Sequence, residues 1–532
     1  MQTKISIKHV DFALFNTMNL EGVLIEDKKQ DTLLYAGKVK VNITDWFFFK
    51  DQAELKYIGL EDAVIKLQRT DSVWQQQFML DYFASPSSGK KKKAGIQLDL
   101  KKIELKNVFF IKKDAWLGSN MSVRLGSLNM DADSLNLSGN TYDINSLKVV
   151  DPVIAMYNYK GLKPLDENTT DLNDEIKTAS SWNTSKTTFK IGELKIVNGS
   201  FKSDNGNDRA PYQYFDGEHI AFTEINGDIN KASFVGDTIY SKLKLSAKER
   251  SGFQLKNLSA DLKLTPQGMA FSNMELKTNN STLQNYFMLS YNDISDMSSF
   301  VTKVKMTANF ENSYLDSDDI AFFAPAMKTW NKKISLKGKL RGTVDNLVGK
   351  DMVIQAGSST LLNGDVTLTG LPDIDQTFID FKANEFRTTY NDAITLIPKI
   401  KNITSPDLRK LQYINFKGSF TGFIRDFVTF GTIKTNLGSI TSDLNMKLPL
   451  NKDAVYSGTI STDNFRIGEF LNNSALGSIA MKGTVKGTGF STKSINTLID
   501  GKVRYVDYNK YRYQNISICY SPHSEPFHQL MY

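Results

Sequence analysis

Residues 98–113 read LDLKKIELKNVFFIKK, and this stretch decides the fold class. Leu98, Leu100, Ile103 and Leu105 are interleaved with Asp99, Lys101 and Glu104. That is the period of a strand with one apolar and one wet face. Lys106-Asn107 interrupts the run and Val108-Phe109-Phe110-Ile111 begins another. A short break flanked by apolar runs predicts two strands joined by a hairpin or tight corner.

The same phrase recurs. Its copies are Leu20-Glu21-Gly22-Val23-Leu24-Ile25, Leu60-Glu61-Asp62-Ala63-Val64-Ile65, Leu105-Lys106-Asn107-Val108-Phe109-Phe110, Val149-Val150-Asp151-Pro152-Val153-Ile154 and Ile196-Val197-Asn198-Gly199-Ser200-Phe201. The turn position holds Gly22, Asp62, Asn107, Asp151 and Asn198, at intervals of 40, 45, 44 and 47 residues. Gly, Asn and Asp tolerate left-handed backbone or bond their own main chain. A repeating turn-and-strand unit implies an array in which each unit packs on its neighbours. A second repeat follows: Leu336-Lys337-Gly338-Lys339-Leu340-Arg341-Gly342, Phe416-Lys417-Gly418-Ser419-Phe420-Thr421-Gly422 and Met481-Lys482-Gly483-Thr484-Val485-Lys486-Gly487. Glycines four apart resemble a membrane-helix dimer motif, but lysines and alternating apolar residues surround them. On a strand they share one face and permit bending or close backbone approach.

Composition narrows the class. The 532 residues are 40% hydrophobic with a mean hydropathy of −0.32, which fits a folded chain. Basic residues number 65 and acidic ones 58, a mild excess without the clustering of a nucleic-acid footprint. A single cysteine, Cys519, excludes an intrachain disulfide framework or a Cys-based zinc site. No run of 18 apolar residues is present to span a bilayer as a helix. Met1 leads directly to Ile5, Ile7 and Val10, without a signal peptide before the first strand.

Four regions are expected: β-repeats over 1–160, a polar acidic loop over 161–188, β-repeats over 189–310, and a β region with short helices over 311–532. Trp46-Phe47-Phe48-Phe49 reads as a packed corner, and SPSSGKKKKAG over 85–95 as a solvated loop. Asp318 and Asp319 open a short helix running to Trp330, limited by Pro325. A helical interlude is expected over 390–411, bracketed by Asn391-Asp392 and Ser405-Pro406-Asp407. The strand pattern is lost from Cys519 to Tyr532.

Chemistry is hard to find in this chain. His9, His219, His523 and His528 have no metal-ligand spacing, and no HExxH, Walker-type loop, GxSxG or paired CxxC occurs. Asp131-Ala132-Asp133 and Asp316-Ser317-Asp318-Asp319 lack the remaining elements of a calcium loop. No catalytic residue, cofactor or metal ligand is assigned, and the expected role is not enzymatic. A half-apolar sheet must cover its apolar face with another layer or a ligand, and too few helices are expected to do so.

Residues 4–41, KISIKHVDFALFNTMNLEGVLIEDKKQDTLLYAGKVKV, resemble the start of the periplasmic part of TamB proteins of Bacteroidetes-type bacteria, with DTLLYAGKVKV over 31–41 the most specific piece. YSGTISTDNFRIGEFL, GTVKGTG and VRYVDYNKYRYQNISI, between Tyr456 and Ile518, resemble the AsmA-like region of that family. The resemblance implies an elongated, repetitive antiparallel sheet curled into an apolar groove. It also implies an inner-membrane anchor helix and a periplasmic location. The implied roles are passage of phospholipid towards the outer membrane and assembly of outer-membrane proteins with a TamA-like barrel partner. This chain lacks the anchor, is far shorter than complete members and leaves the pattern after Ile518, so it is expected to be an N-terminal fragment or truncated product.

Candidate groove residues, contacting phospholipid acyl chains, are Val39, Val41, Leu98, Leu100, Leu135, Leu137, Leu243, Leu245, Leu262 and Leu264. The competing fold is a closed sandwich or β-helix in which they form a dry core. A β-helical surface adhesin or carbohydrate-binding protein is the alternative function, and a polysaccharide-degrading β-helix a third.

Overall fold

The computed structural model describes residues 3–13, 17–43, 53–78, 96–136, 140–164, 182–206, 209–329, 332–403, 407–450, 452–490 and 494–518. The expected features at 46–49, 85–95, 165–181 and 519–532 lie outside these. The chain is mainly β, and its contacts divide it into two units: Met1–Ser298 with Ala321–Pro325, and Ser299–Ile320 with Ala326–Tyr532.

In the first unit the strands are β1 (Ile5–Ser6), β2 (His9–Ala13), β3 (Thr17–Glu26), β4 (Thr32–Ile43), β5 (Ala53–Arg69), β6 (Ile96–Asp114), β7 (Ser119–Asn136), β8 (Thr141–Val150) and β9 (Val153–Asn158). They continue as β10 (Thr188–Asn205), β11 (His219–Val235), β12 (Thr238–Glu249), β13 (Gln254–Thr265), β14 (Gly268–Lys277) and β15 (Thr282–Ser290). From β3 to β7, and from β10 to β15, each strand pairs with the next. β1 and β2 together flank β3, while β8 and β9 together lie between β7 and β10. Pairing is antiparallel except at β5–β6, β8–β10 and β9–β10, which are parallel. The expectation of a wholly antiparallel sheet is corrected at those joins. Parallel neighbours need a long connection, and residues 70–95 and 159–187 supply it.

The repeated phrase is not a hairpin. Gly22, Asp62, Asn107 and Asn198 lie inside single strands, and Asp151 lies at the β8–β9 break. All five have positive φ, between 48° and 61°. A single left-handed residue kinks the strand here; at Asn198 it also shifts the register against β11, whereas Asp62 and Asn107 stand level with each other and leave the register unshifted. The kink also resets the alternation, because Leu60 and Ala63 stand three apart yet face Leu105 and Val108 on one side of the sheet. The kinks align laterally. The Asn107 Nδ2 donates to Asp62 Oδ1 at 2.6 Å, and Asn198 Nδ2 donates to Asp151 Oδ1 at 2.7 Å. On the intervening strands glycine occupies the row: a Cβ at Gly37 would lie 3.2 Å from Asp62 Cβ, and one at Gly126 would lie 3.1 Å from Asp151 Cβ. The result is a crease. Along it Val23, Ala36, Ala63 and Val108 are buried, and Leu20, Val39, Leu60 and Leu105 pack on them from the other side of the row.

The second unit contains β16 (Lys305–Asp316), β17 (Lys333–Gly342), β18 (Asn346–Ala356), β19 (Thr360–Thr369), β20 (Phe378–Thr389), β21 (Tyr413–Phe423), β22 (Asp426–Thr435), β23 (Gly438–Lys447), β24 (Val455–Phe465), β25 (Leu476–Thr488), β26 (Asn496–Tyr508) and β27 (Tyr511–Ile518). Every consecutive pair is antiparallel. Short helices enter after β16, β20 and β24, at Ser317–Ala321, Tyr390–Leu396 and Ile467–Leu471, so four strands and a helix make one module. The expected helix to Trp330 ends at Ala321 and is followed by a 3-10 turn, Pro325–Thr329. The interlude over 390–411 likewise breaks up, into Tyr390–Leu396 and 3-10 turns Pro398–Asn402 and Leu408–Lys410.

The glycine repeat marks the first strand of each module: Gly338 on β17, Gly418 on β21 and Gly483 on β25. By register Gly364 meets Ala383, Ala383 meets Gly418, Gly418 meets Gly431, and Gly483 meets Gly501. From β21 to β23 the register is unbroken, and glycines stand where the first unit has left-handed Asp and Asn residues. A Cβ at Gly418 would fall 2.6 Å from Gly431 Cα. Gly418→Val is therefore expected to cost about 2–3 kcal/mol of stability by overpacking, read as a lowered urea midpoint. Gly217→Ala, where an added Cβ meets nothing within 4 Å, is expected to leave the midpoint nearly unchanged.

Candidate functional site

Register carries one apolar row through the first unit. Val10, Leu20, Val39, Leu60, Leu105, Leu128, Val149, Ile196, Gly227, Leu245, Leu258, Leu276 and Leu283 stand opposite one another on successive strands. A parallel row runs Val41, Ile58, Ile103, Met130, Leu147, Leu194, Ile229, Leu243 and Ala260. The reverse face at the same level is Lys40, Gly59, Glu104, Asn129, Lys148, Lys195, Asp228, Lys244 and Ser259. With strands about 4.8 Å apart, the first row is roughly 60 Å of apolar surface followed across the ladder.

The expected groove residues fall as follows. Val39, Val41, Leu243 and Leu245 lie in the two rows. Leu262 and Leu264 share their face, opposite Phe271 and Met269. Leu100 and Leu135 are buried in a cluster with Met130 and Ala132, against which Ile58, Ile103 and Leu147 pack. Leu98 has its backbone opposite Leu55 on β5. Leu137 lies outside the described residues.

The second unit has a face of the same kind. Leu336, Ile354, Leu362, Phe386, Phe416, Ile433 and Ile440 form a row on one side of the glycines, and Val366, Phe381 and Phe420 one on the other. Burial along these faces is mixed: Leu336, Phe381 and Phe416 are 6–7% exposed, whereas most of the remaining row residues are half-buried. Among the described residues, Val304 and Leu437 are the only large hydrophobic side chains less than 2% exposed, and neither belongs to the rows.

The reverse face carries Lys40, Glu104, Lys148, Lys195, Asp228 and Lys244 at the level of the apolar rows. On the reverse face a depression of about 270 Å³ opens among Lys38, Lys40, Tyr57, Gly59, Glu61, Glu104 and Lys106. There the Tyr57 hydroxyl donates to Glu104 at 2.8 Å, and burial together with that carboxylate pushes its pKa up to about 12. Asp131 and Asp133 both accept from the Asn145 amide, at 3.1 and 2.9 Å. His219 lies 3.2 Å from Asp204, while His523 and His528 fall outside the described residues.

Strand ends are tied by ion pairs that the sequence pattern did not single out. Arg69 donates from Nε and Nη2 to buried Asp114, both at 2.8 Å, and Trp74 stacks over its guanidinium. Arg209 bonds Asp216 and Glu218, and its guanidinium holds Asp216 far below the usual carboxylate range. At the start of helix Tyr390–Leu396, Asp392 accepts from the backbone and hydroxyls of Ser358 and Ser359. Arg69 and Asp114 stand 45 apart in sequence and Ser359 and Asp392 33 apart, so no spacing rule reveals those pairs.

No protein-family model matches the sequence, and no curated protein matches it. Among the described residues no group of His, Cys, Asp or Glu has the arrangement of a metal site, and no helix is long and apolar enough to cross a membrane.

Asp392 has a pH signature. Burial raises its pKa, but the hydrogen bonds from Ser359 and Ser358 outweigh burial and hold it at about 2. An unfolded aspartate titrates near 3.9. The contribution, of order 2 kcal/mol, is therefore present above pH ~4 and lost as pH falls towards 2. Asp392→Asn is expected to lower the urea midpoint at pH 7, and its difference from wild type to shrink across that acid window.

Proposed function

We propose that this chain is a non-enzymatic envelope protein of the TamB type that shelters phospholipid acyl chains along its creased apolar face. The observation carrying this reading is the continuity of the apolar rows across β2–β15, combined with how shallowly they are buried. A closed sandwich of this length would hold many fully buried Leu, Ile and Phe side chains, because protein interiors pack to crystal density. Here the covering layer is supplied by ligand. Exposing a methylene costs about 0.8 kcal/mol, so a sixteen-carbon chain in water costs on the order of 12 kcal/mol. A face that hides it at every strand removes that barrier stepwise.

The resemblance at residues 4–41 and 456–518 supports a periplasmic setting between the inner and outer membranes, with an inner-membrane anchor and a TamA-like barrel as partners in outer-membrane protein assembly. The charged reverse face suits water on the other side of the sheet.

Purification from an envelope-targeted expression, followed by lipid extraction and mass spectrometry, is expected to recover phospholipid. Leu245→Asp with Leu258→Asp, a cross-strand pair on the first row, is expected to reduce it about tenfold, ~1.4 kcal/mol, with the circular dichroism of wild type. Folded wild-type protein free of lipid would refute the proposal and favour a dry core, as in a β-helical adhesin.

A further inference from the structure

At one end of β5, β6, β7 and β9 three loops are stitched together. Ala115 N donates to Arg69 O at 3.0 Å, Tyr159 N to Gly118 O at 2.8 Å, Leu162 N to Ala115 O at 2.9 Å and Lys163 N to Trp116 O at 2.9 Å. The turn after β6 is thus bonded on one side to the end of β5 and on the other to the segment after β9. Each loop turns one large aliphatic side chain outward: Val73 is 57% exposed, Leu117 56% and Leu162 63%. Trp74 and Trp116, on two of the same loops, are half-buried. The Trp74 ring lies 4.6 Å from the Arg69 guanidinium and 5.5 Å from Lys112 Nζ.

Among the described residues of this edge the exposed charges are mainly basic, with one exposed carboxylate, Asp71, which accepts from Val73 N at 2.8 Å. Lys113, Lys160 and Lys163 are exposed and have no carboxylate partner among the described residues. Asp114 is buried and neutralised by Arg69. The edge also continues the apolar face. Ile65, Phe110, Val123 and Ile154 stand opposite one another on β5, β6, β7 and β9, between the crease and the loops.

We propose that this three-loop edge docks on a bilayer surface containing anionic phospholipid, with Val73, Leu117 and Leu162 entering the headgroup region. Aliphatic tips gain by leaving water, indole rings favour the interfacial level, and lysines meet phosphate. Three exposed aliphatic tips on loops bonded to one another make an apolar edge of the kind that marks a membrane or partner surface. The proposal deepens the groove reading and rests on it for its purpose, because it names where a bilayer meets the apolar path.

The test is flotation of the full chain with phosphatidylcholine vesicles with and without phosphatidylglycerol. Wild type is expected to float with the anionic vesicles. The triple variant Val73→Ser, Leu117→Ser, Leu162→Ser is expected to lose about tenfold or more in partitioning. Val235→Ser, 56% exposed at the β11–β12 turn, is expected to float like wild type. Wild type that stays unbound, a triple variant that floats equally well, or equal loss in triple and control variants would each overturn the proposal. Copurified phospholipid separates the two readings. Retained lipid in a triple variant that no longer floats supports the docking edge, and lipid-free wild type that still floats removes the groove while leaving the edge standing.

Discussion

A strand alternates its side chains strictly, so a sheet that folds over its apolar face must at the bend either change the strand's phase or do without side chains. The first unit meets the constraint with a single left-handed residue per kinked strand. At Asp62 and Asn107 the left-handed residue lets Leu60 and Ala63, or Leu105 and Val108, look the same way across the bend. A crease exists only if every neighbouring strand bends at the same level. The Asn107–Asp62 and Asn198–Asp151 hydrogen bonds and the glycines between them hold that level.

The second unit meets the same demand differently. Asp351, with φ of 52°, still makes a bulge on β18 between Gly349 and Met352. By β21 and β22, Gly418 faces Gly431 with no register shift. Removing side chains allows the backbones to close up where a left-handed residue would have turned them. Both routes place small or buried residues at the fold with larger apolar ones, from buried Phe381 and Phe416 to half-buried Phe386 and Phe420, on either side. Under the proposed function, an acyl chain would cover the side chains that these faces leave half-buried.

Much of this was legible in the residues. The alternation at Leu243, Leu245, Leu262 and Leu264 placed them on one face, and the repeated Gly-x-x-x-Gly pattern marked strands that approach closely. The repeated Asn, Asp and Gly positions were visible too, but read as hairpins, because the left-handed conformation that closes a turn also kinks a strand. Only the partner strand tells them apart, and the partner is remote in sequence. The parallel joins at β5–β6 and β8–β10 were hidden for the same reason. Short helices such as Ile467–Leu471 carry too few turns for a periodic signal, and the Arg69–Asp114 pair joins residues 45 apart.

The most direct measurement is a photo-cross-linking scan with a lipid-reactive side chain placed singly at positions 242–245 on β12 and 103–110 on β6, in protein purified with its lipid. Lipid adducts are expected at 243 and 245 but not at 242 and 244. On β6 they are expected at 103 and 105, then, after the kink at Asn107, at 108 and 110. Adducts that follow this alternation and its change of phase would establish the creased face as the lipid path. Uniform labelling, or adducts confined to the lysine face, would contradict it.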